Sequence, residues 1–332
     1  MLPLERLQVH WAMIVFLALL AGLGLALGFA PWGLWPLPIL GAGLFTWLVA
    51  GRGPWTGFGI GMLSGCILYG CTIWWVGAQA GPVVWVLVVV MAVWVGLIGI
   101  ASSLITRLSG WCLLVPLAWS AAEYGAERIP FGGFPWLRLG YTTIDQPLAG
   151  WLPWIGVSGA TWLVAMVGCC CLAVVVQRRR LIPLLATVSA FIIGGGSLLA
   201  PVDGGGQRIT VGMVQGNAQL GLNGGYIAAT GAAPHHLSET IFLLADARAH
   251  GQQLDLIVWA ENSTDTDPML NPTTKAQVSA AAELAQVPID LGAVTAGPEP
   301  RTRRTTTLVW VPGQGPTDHY HKRNLAPFGE FV

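Results

Sequence analysis

Two side chains in the second half of this sequence have the chemistry to work on a carbonyl group. Glu261 stands near the close of an apolar run, Leu254 to Asn262 (LDLIVWAEN), and Lys322 stands in Tyr320 to Asn324 (YHKRN). A carboxylate at the end of a buried strand can have its pKa raised and serve as a general base. A fixed ammonium can hold the oxyanion that forms when a nucleophile adds to a carbonyl. The same positions also have a plain structural reading, as a solvated strand terminus and a charged surface turn. His235-His236 and the pair His319 and His321 are metal ligands by residue type. No Cys, Asp or Glu pattern with ligand spacing accompanies them. No Ser-His-Asp set or phosphate-binding glycine loop stands out, and no cofactor is expected.

The elements that must position these residues can be read from the hydrophobic pattern. Gln207 to Asn217 is a buried-strand pattern closed by Gly-Asn, and a Gly-rich loop follows it. His236 to His250 reads as a helix with Leu237, Ile241, Leu244 and Ala245 on its inner face. Leu254 to Asn262 is a second strand, with Glu261 at its end. Thr273 to Gln286 is an Ala-rich helix, stopped by Val287-Pro288. Ile289 to Ala296 and Thr305 to Pro312 are further strands, and Asp318 to Asn324 is a fifth. Strand, helix, strand, helix, strand and then hairpin predicts an α/β layer fold.

The first 200 residues obey a different solvent. The chain has 332 residues, 54% of them hydrophobic and 10% charged, against about 25% charged in a soluble domain. Up to residue 200 the acidic residues are Glu5, Glu123, Glu127 and Asp145 alone. Seven apolar segments are long enough to be spans: 10–29, 34–50, 56–79, 83–106, 111–127, 153–176 and 181–200. Arg6, Arg52, Arg107 and Arg178-Arg179-Arg180 then fall in alternate connections. The positive-inside rule puts those connections in the cytoplasm and the polar region outside. Net charge is zero, so no nucleic-acid surface is implied. One connection on the outer side, Glu127 to Leu148, carries Phe131, Phe134 and Trp136 around Gly-Gly. It reads either as an interfacial aromatic belt or as a lipid-facing lip.

Taken together, these pieces resemble the apolipoprotein N-acyltransferase family. The resemblance runs along nearly the whole chain. It is carried by GFAPWGLWPL (Gly28 to Leu37), Trp74-Trp75, FGGFPW (Phe131 to Trp136), VQGN (Val214 to Asn217), VWAENS (Val258 to Ser263) and YHKRNLAPFGEFV (Tyr320 to Val332). ENSTDTDP is similar to the actinobacterial branch. The resemblance implies a polytopic α-helical membrane domain of about seven spans, residues 1–203. An incomplete nitrilase-like (carbon-nitrogen hydrolase, αββα sandwich) domain, residues 204–332, would follow on the extracytoplasmic side of the inner membrane. It implies transfer of an acyl chain from a phospholipid to the α-amino group of the diacylglyceryl-cysteine of an apolipoprotein, through a thioester acyl-enzyme. By motif, Glu261 would be the general base, Lys322 would stabilise the oxyanion, and Glu330 would support them.

One departure is large. In the family the nucleophilic Cys lies beyond the lysine motif. Here the cysteines are Cys66, Cys71, Cys112 and Cys169 to Cys171, and none follows. The expectation is therefore a chain truncated at its C-terminus that is inactive alone. The alternatives are a non-catalytic membrane scaffold of the same family, or a membrane-tethered amidase completed by another subunit. A smaller departure is Ala260, where the family often has Pro.

Overall fold

The computed structural model describes residues 10–176, 181–199, 205–217, 231–300 and 302–325. The chain divides into two compact units, Met1–Val202 and Asp203–Val332.

The first unit is helical: α1 (Trp11–Ala26), α2 (Pro36–Val49), α3 (Pro54–Thr72), the single turn α4 (Gly77–Ala80), α5 (Val84–Ile105), α6 (Trp111–Ala126), α7 (Leu152–Val176) and α8 (Leu181–Leu199). Among the described residues, three helical stretches are long and apolar enough to cross a membrane: Gly81–Ile105, Pro147–Val176 and Leu181–Leu199. Trp11–Ala26 and Pro36–Val49 are apolar but shorter. Apolar side chains on the outside of the unit remain uncovered, Trp55 at 80% and Leu199 at 86% exposure. That is the pattern of a helix bundle whose surface is not meant for water.

Small residues let the helices approach. Gly57, Gly61 and Gly65 line one face of α3, and a Cβ at Gly57 would lie 2.5 Å from the Gly99 carbonyl of α5. At Gly61 it would lie 2.3 Å from the Val95 carbonyl. Without a hydrophobic drive between helices in lipid, such close packing is what holds them together. The turns after α2 and α5 meet, because the Arg107 guanidinium donates to the Arg52 carbonyl at 3.2 Å. At the far end of α3, Trp75 packs on Trp136 with ring centroids 5.0 Å apart. Nineteen residues separate these two ends, about 28 Å of helix.

The second unit is a mixed five-stranded sheet in the order β1 (Val211–Val214), β2 (Leu256–Thr264), β3 (Ile289–Ala296), β4 (Arg303–Val311) and β5 (Gly315–His321). β1, β2 and β3 run parallel, and β4 and β5 add antiparallel. α9 (Ala232–Ala249) and α10 (Pro272–Ala285) supply the crossovers. Both pack on the face that carries Ile257, Trp259, Ile289, Leu291, Leu308 and Trp310. Side chains alternate along a strand, so the intervening residues belong to the other face. There Met213, Val258, Asp290 and Val309 form one row across the sheet.

Two expectations are corrected. α9 does not turn Ile241 and Ala245 inward: Ile241 is 49% exposed, while His236 and Thr240 are buried. The reason is hydrogen bonding. Thr240 accepts from the Trp259 indole N–H at 3.0 Å, and His236 Nε2 accepts from the Gly216 N–H at 3.1 Å. The second correction concerns Glu261, which does not end its strand. β2 continues to Thr264, with a register shift between Trp259 and Thr264 that leaves Glu261 in a bulge.

Candidate functional site

The bulge has a local cause. Asn262 adopts φ +59°, a left-handed conformation that Asn tolerates better than most residues. The partner strand makes room with a glycine: a Cβ on Gly292 would sit 2.6 Å from the Glu261 Cα and 2.9 Å from the Ala260 carbonyl oxygen. The next residue closes the arrangement, since Ser263 Oγ donates to the Gly292 carbonyl at 2.8 Å. Together these lift Glu261 over the sheet face that α9 and α10 leave open. Bulges that re-aim a side chain are common beside reactive centres.

Lys322 comes from the other side of the sheet. It follows the last residue of β5, and its backbone N–H donates to the Thr305 carbonyl at 2.9 Å. Its Nζ donates to Glu261 Oε1 at 2.9 Å. Two residues 61 positions apart in the chain are thus joined by one ion pair. The Glu261 side chain is 56% exposed and that of Lys322 34%. An ion pair so open to solvent adds little stability, so its position is its more informative property. A depression of about 450 Å³ adjoins it, lined by Arg303, Arg304, Thr305, Tyr320, Lys322 and Arg323 among others.

His236 and His321 make hydrogen bonds within the scaffold. His236 is 4% exposed, and its Nδ1 lies 2.8 Å from the Ala232 carbonyl while Nε2 takes the Gly216 N–H. This fixes the neutral tautomer with the proton on Nδ1. Burial also holds its pKa below the ordinary value. His321 Nδ1 lies 3.0 Å from Thr306 Oγ1, which in turn lies 2.6 Å from Thr295 Oγ1. Slight desolvation first, and then Arg304 and His319, lower the His321 pKa. No cluster of three or more metal-ligating side chains occurs among the described residues.

Of the residues singled out in the sequence, Glu261 and Lys322 are brought together, and Glu330 lies outside the described residues. Sequence reasoning missed Asn262, Ser263 and Gly292. A glycine inside a strand pattern is a signal for a bulge or a close backbone approach, so Gly292 was readable. It also missed Asp290, which shares the open face. Partial burial raises its pKa, and its Oδ1 has no hydrogen-bond partner among the described residues.

The first unit has its own organised loop. Phe131, Gly132 and Gly133 all have positive φ, at 53°, 90° and 79°. Gly133 lies so close to α6 that a Cβ would meet the Glu127 carbonyl carbon at 1.9 Å. The Phe134 N–H donates to the Ala126 carbonyl at 2.8 Å. Phe131 and Trp136 remain 65% and 58% exposed.

The chain thus has a membrane-type helical unit followed by a mixed sheet carrying a Glu–Lys pair, and known proteins resemble it in sequence along most of its length. Residues 21–170 match the family described as apolipoprotein N-acyltransferase N-terminal domain. An apolipoprotein N-acyltransferase of Mycolicibacterium smegmatis is 30% identical over 94% of this chain and 57% of its own length. Those of Vibrio parahaemolyticus and Pseudomonas syringae are 26% and 28% identical, each over 95% of this chain and 65% of the relative. The chain is similar to apolipoprotein N-acyltransferases along most of its own length, and it spans between 57% and 65% of the length of these relatives.

Proposed function

We propose that this chain acts in the N-acylation of apolipoproteins, with Glu261 and Lys322 as reacting partners. The carrying observation is the 2.9 Å contact between Lys322 Nζ and Glu261 Oε1. It supports reading the pair as a proton acceptor and an oxyanion partner for one carbonyl. In this reading a thiolate adds to the ester carbonyl of a phospholipid. Glu261 takes the thiol proton, Lys322 holds the oxyanion, and as the tetrahedral adduct collapses Glu261 returns the proton to the departing lysophospholipid oxygen. The amine of a diacylglyceryl-cysteine then attacks the thioester carbonyl and gives its proton to Glu261, the C–S bond breaks, and the departing thiolate takes that proton back. Glu330 supports the pair. None of the six cysteines, all at or before Cys171, stands in the second unit, so the thiol of this scheme is not among them.

The same reading takes the first unit, residues 1–203, as a seven-span membrane domain. It takes residues 204–332 as a nitrilase-like domain outside the inner membrane. Helices in all seven apolar segments support the span count. The Arg107–Arg52 contact supports placing those two connections on one side. A second reading takes the protein as a non-catalytic membrane partner related to the same acyltransferases.

The test is N-acylation of a diacylated lipopeptide in membranes of a host deprived of its own N-acyltransferase. The protein is expressed from its native gene, with Glu261→Ala and Lys322→Ala alongside. Acylation that both substitutions abolish supports the catalytic reading. Acylation that survives them removes Glu261 and Lys322 from the chemistry. No acylation by the unaltered protein leaves the partner reading standing.

A further inference from the structure

A second glutamate in this molecule is more deeply engaged than the one at the proposed site, and nothing above uses it. Glu123 lies on α6 inside the apolar unit. Its Oε1 accepts the Leu139 backbone N–H at 2.7 Å. Its Oε2 accepts the hydroxyl of Thr161, on α7, also at 2.7 Å. Thr161 is fully buried, and its Oγ1 in turn accepts the Gly140 N–H at 2.9 Å. Gly140 presses against α7 so closely that a Cβ would lie 2.3 Å from the Val157 carbonyl. One helical turn further along α6, Glu127 forms an ion pair with Arg138, whose Nη1 lies 3.3 Å from Ser158 Oγ.

Glu123 on α6 and Glu127 at its C-cap therefore hold Leu139 and Arg138, and Thr161 holds Gly140, so that three consecutive residues are tied against α7. Those residues are the C-terminal root of the aromatic loop. The N-terminal root is held by the Phe134 to Ala126 hydrogen bond and by Gly133 on the Glu127 backbone. A loop tied at both roots presents Phe131 and Trp136 in one place, with Trp136 braced on Trp75. An ionisable residue in such an apolar setting is costly to maintain, and a neutral core would pack these helices without it. Its two acceptor oxygens match two donors that come from different segments, the Arg138–Gly140 stretch and α7.

We propose that Glu123 is a positioning residue: with Thr161 it forms a buried clamp that sets the aromatic loop as the seat of a phospholipid acyl chain. The lipid part rests on the reading of a phospholipid donor above. The clamp part rests on geometry alone, and the two can be separated by experiment.

The full chain is reconstituted in phosphatidylethanolamine vesicles with the photoreactive residue benzoylphenylalanine in place of Phe131. A second preparation carries it in place of Trp55, at the opposite end of α3, and lipid adducts are measured after illumination. The unaltered clamp gives adducts at both positions. Thr161→Val and Glu123→Ala lower the yield at the Phe131 position by about fivefold or more, with the Trp55 position unchanged. Thr161→Ser keeps the hydroxyl and restores the yield. Glu123→Gln gives an intermediate yield, because its amide oxygen still takes the Leu139 N–H while its NH₂ faces Thr161. Equal losses at both positions, or no loss at either, overturn the clamp. Absence of lipid adducts at the Phe131 position in the unaltered protein overturns the lipid seat, whatever the clamp does.

Discussion

Glu123 and Glu261 show how differently one side chain can be used within a single chain. Glu123 is enclosed in a helical unit and gives both oxygens to neutral donors, a backbone N–H and a threonine hydroxyl. Glu261 stands half-exposed on a bulge and meets a lysine. The first has spent its acceptor sites on holding structure. The second keeps Oε2 outside its ion pair with Lys322, and that lysine lines an open depression. Engagement by fixed donors marks a structural acid, and open placement beside a cation marks a candidate for chemistry.

The largest expected break in this comparison is at Glu261. If it is the base, Glu261→Ala lowers the acylation rate about a hundred- to a thousand-fold, and thermal stability changes little because the ion pair is exposed. Lys322→Ala behaves alike. At Glu123 the expected effect falls on stability. Its replacement by Ala leaves the Leu139 N–H and the Thr161 hydroxyl buried without an acceptor, at about 1–3 kcal/mol for each orphaned group. A lowered melting temperature in detergent checks this. If Glu123→Ala melts like the unaltered protein, the contrast between the two acids fails.

A finer test addresses the bulge. Gly292→Ala puts a Cβ 2.6 Å from the Glu261 Cα. The bulge must shift, and acylation should fall about tenfold, since small misplacements of a reacting group are expensive. Unchanged activity would show that the lift over β3 is not needed.

The smallest effect concerns pH. His236 is held neutral in the fold and its pKa is lowered, so the unfolded chain binds more protons below the ordinary histidine value of about 6.5. Stability of the second unit is therefore full above that value and declines as pH falls below it. Protonation also removes Nε2 as acceptor for the Gly216 N–H. Denaturant unfolding followed by Trp259 fluorescence should show this slope, and His236→Gln should flatten it.

Much of this was legible in the sequence. Continuous apolar runs located the helices of the first unit. Strand and helix patterns located every element of the sheet, with Ile289–Ala296 matched residue for residue. Periodicity failed on α9 because it ranks side chains by polarity. His236 and Thr240 go inside because Gly216 and Trp259 supply their hydrogen bonds, and those partners lie far off in the chain. The bulge at Glu261 was hidden for a similar reason. An apolar run ending in Glu-Asn looks like a finished strand until Gly292 and Ser263 are seen to extend it. The meeting of Glu261 with Lys322 depends on the register of four strands, which no local pattern carries. Glu123 looked like one of a few stray charges, since its donors are a backbone N–H and a residue one helix away.

The separation of 61 positions between Glu261 and Lys322 also sets a schedule. At a synthesis rate of about 5–20 residues per second, the glutamate is made some 3–12 s before its lysine exists. The pair cannot form until β3, β4 and β5 have added in turn, because Lys322 is pinned through Thr305. Among the described residues, the glutamate's partner is therefore acquired only after all five strands have been made.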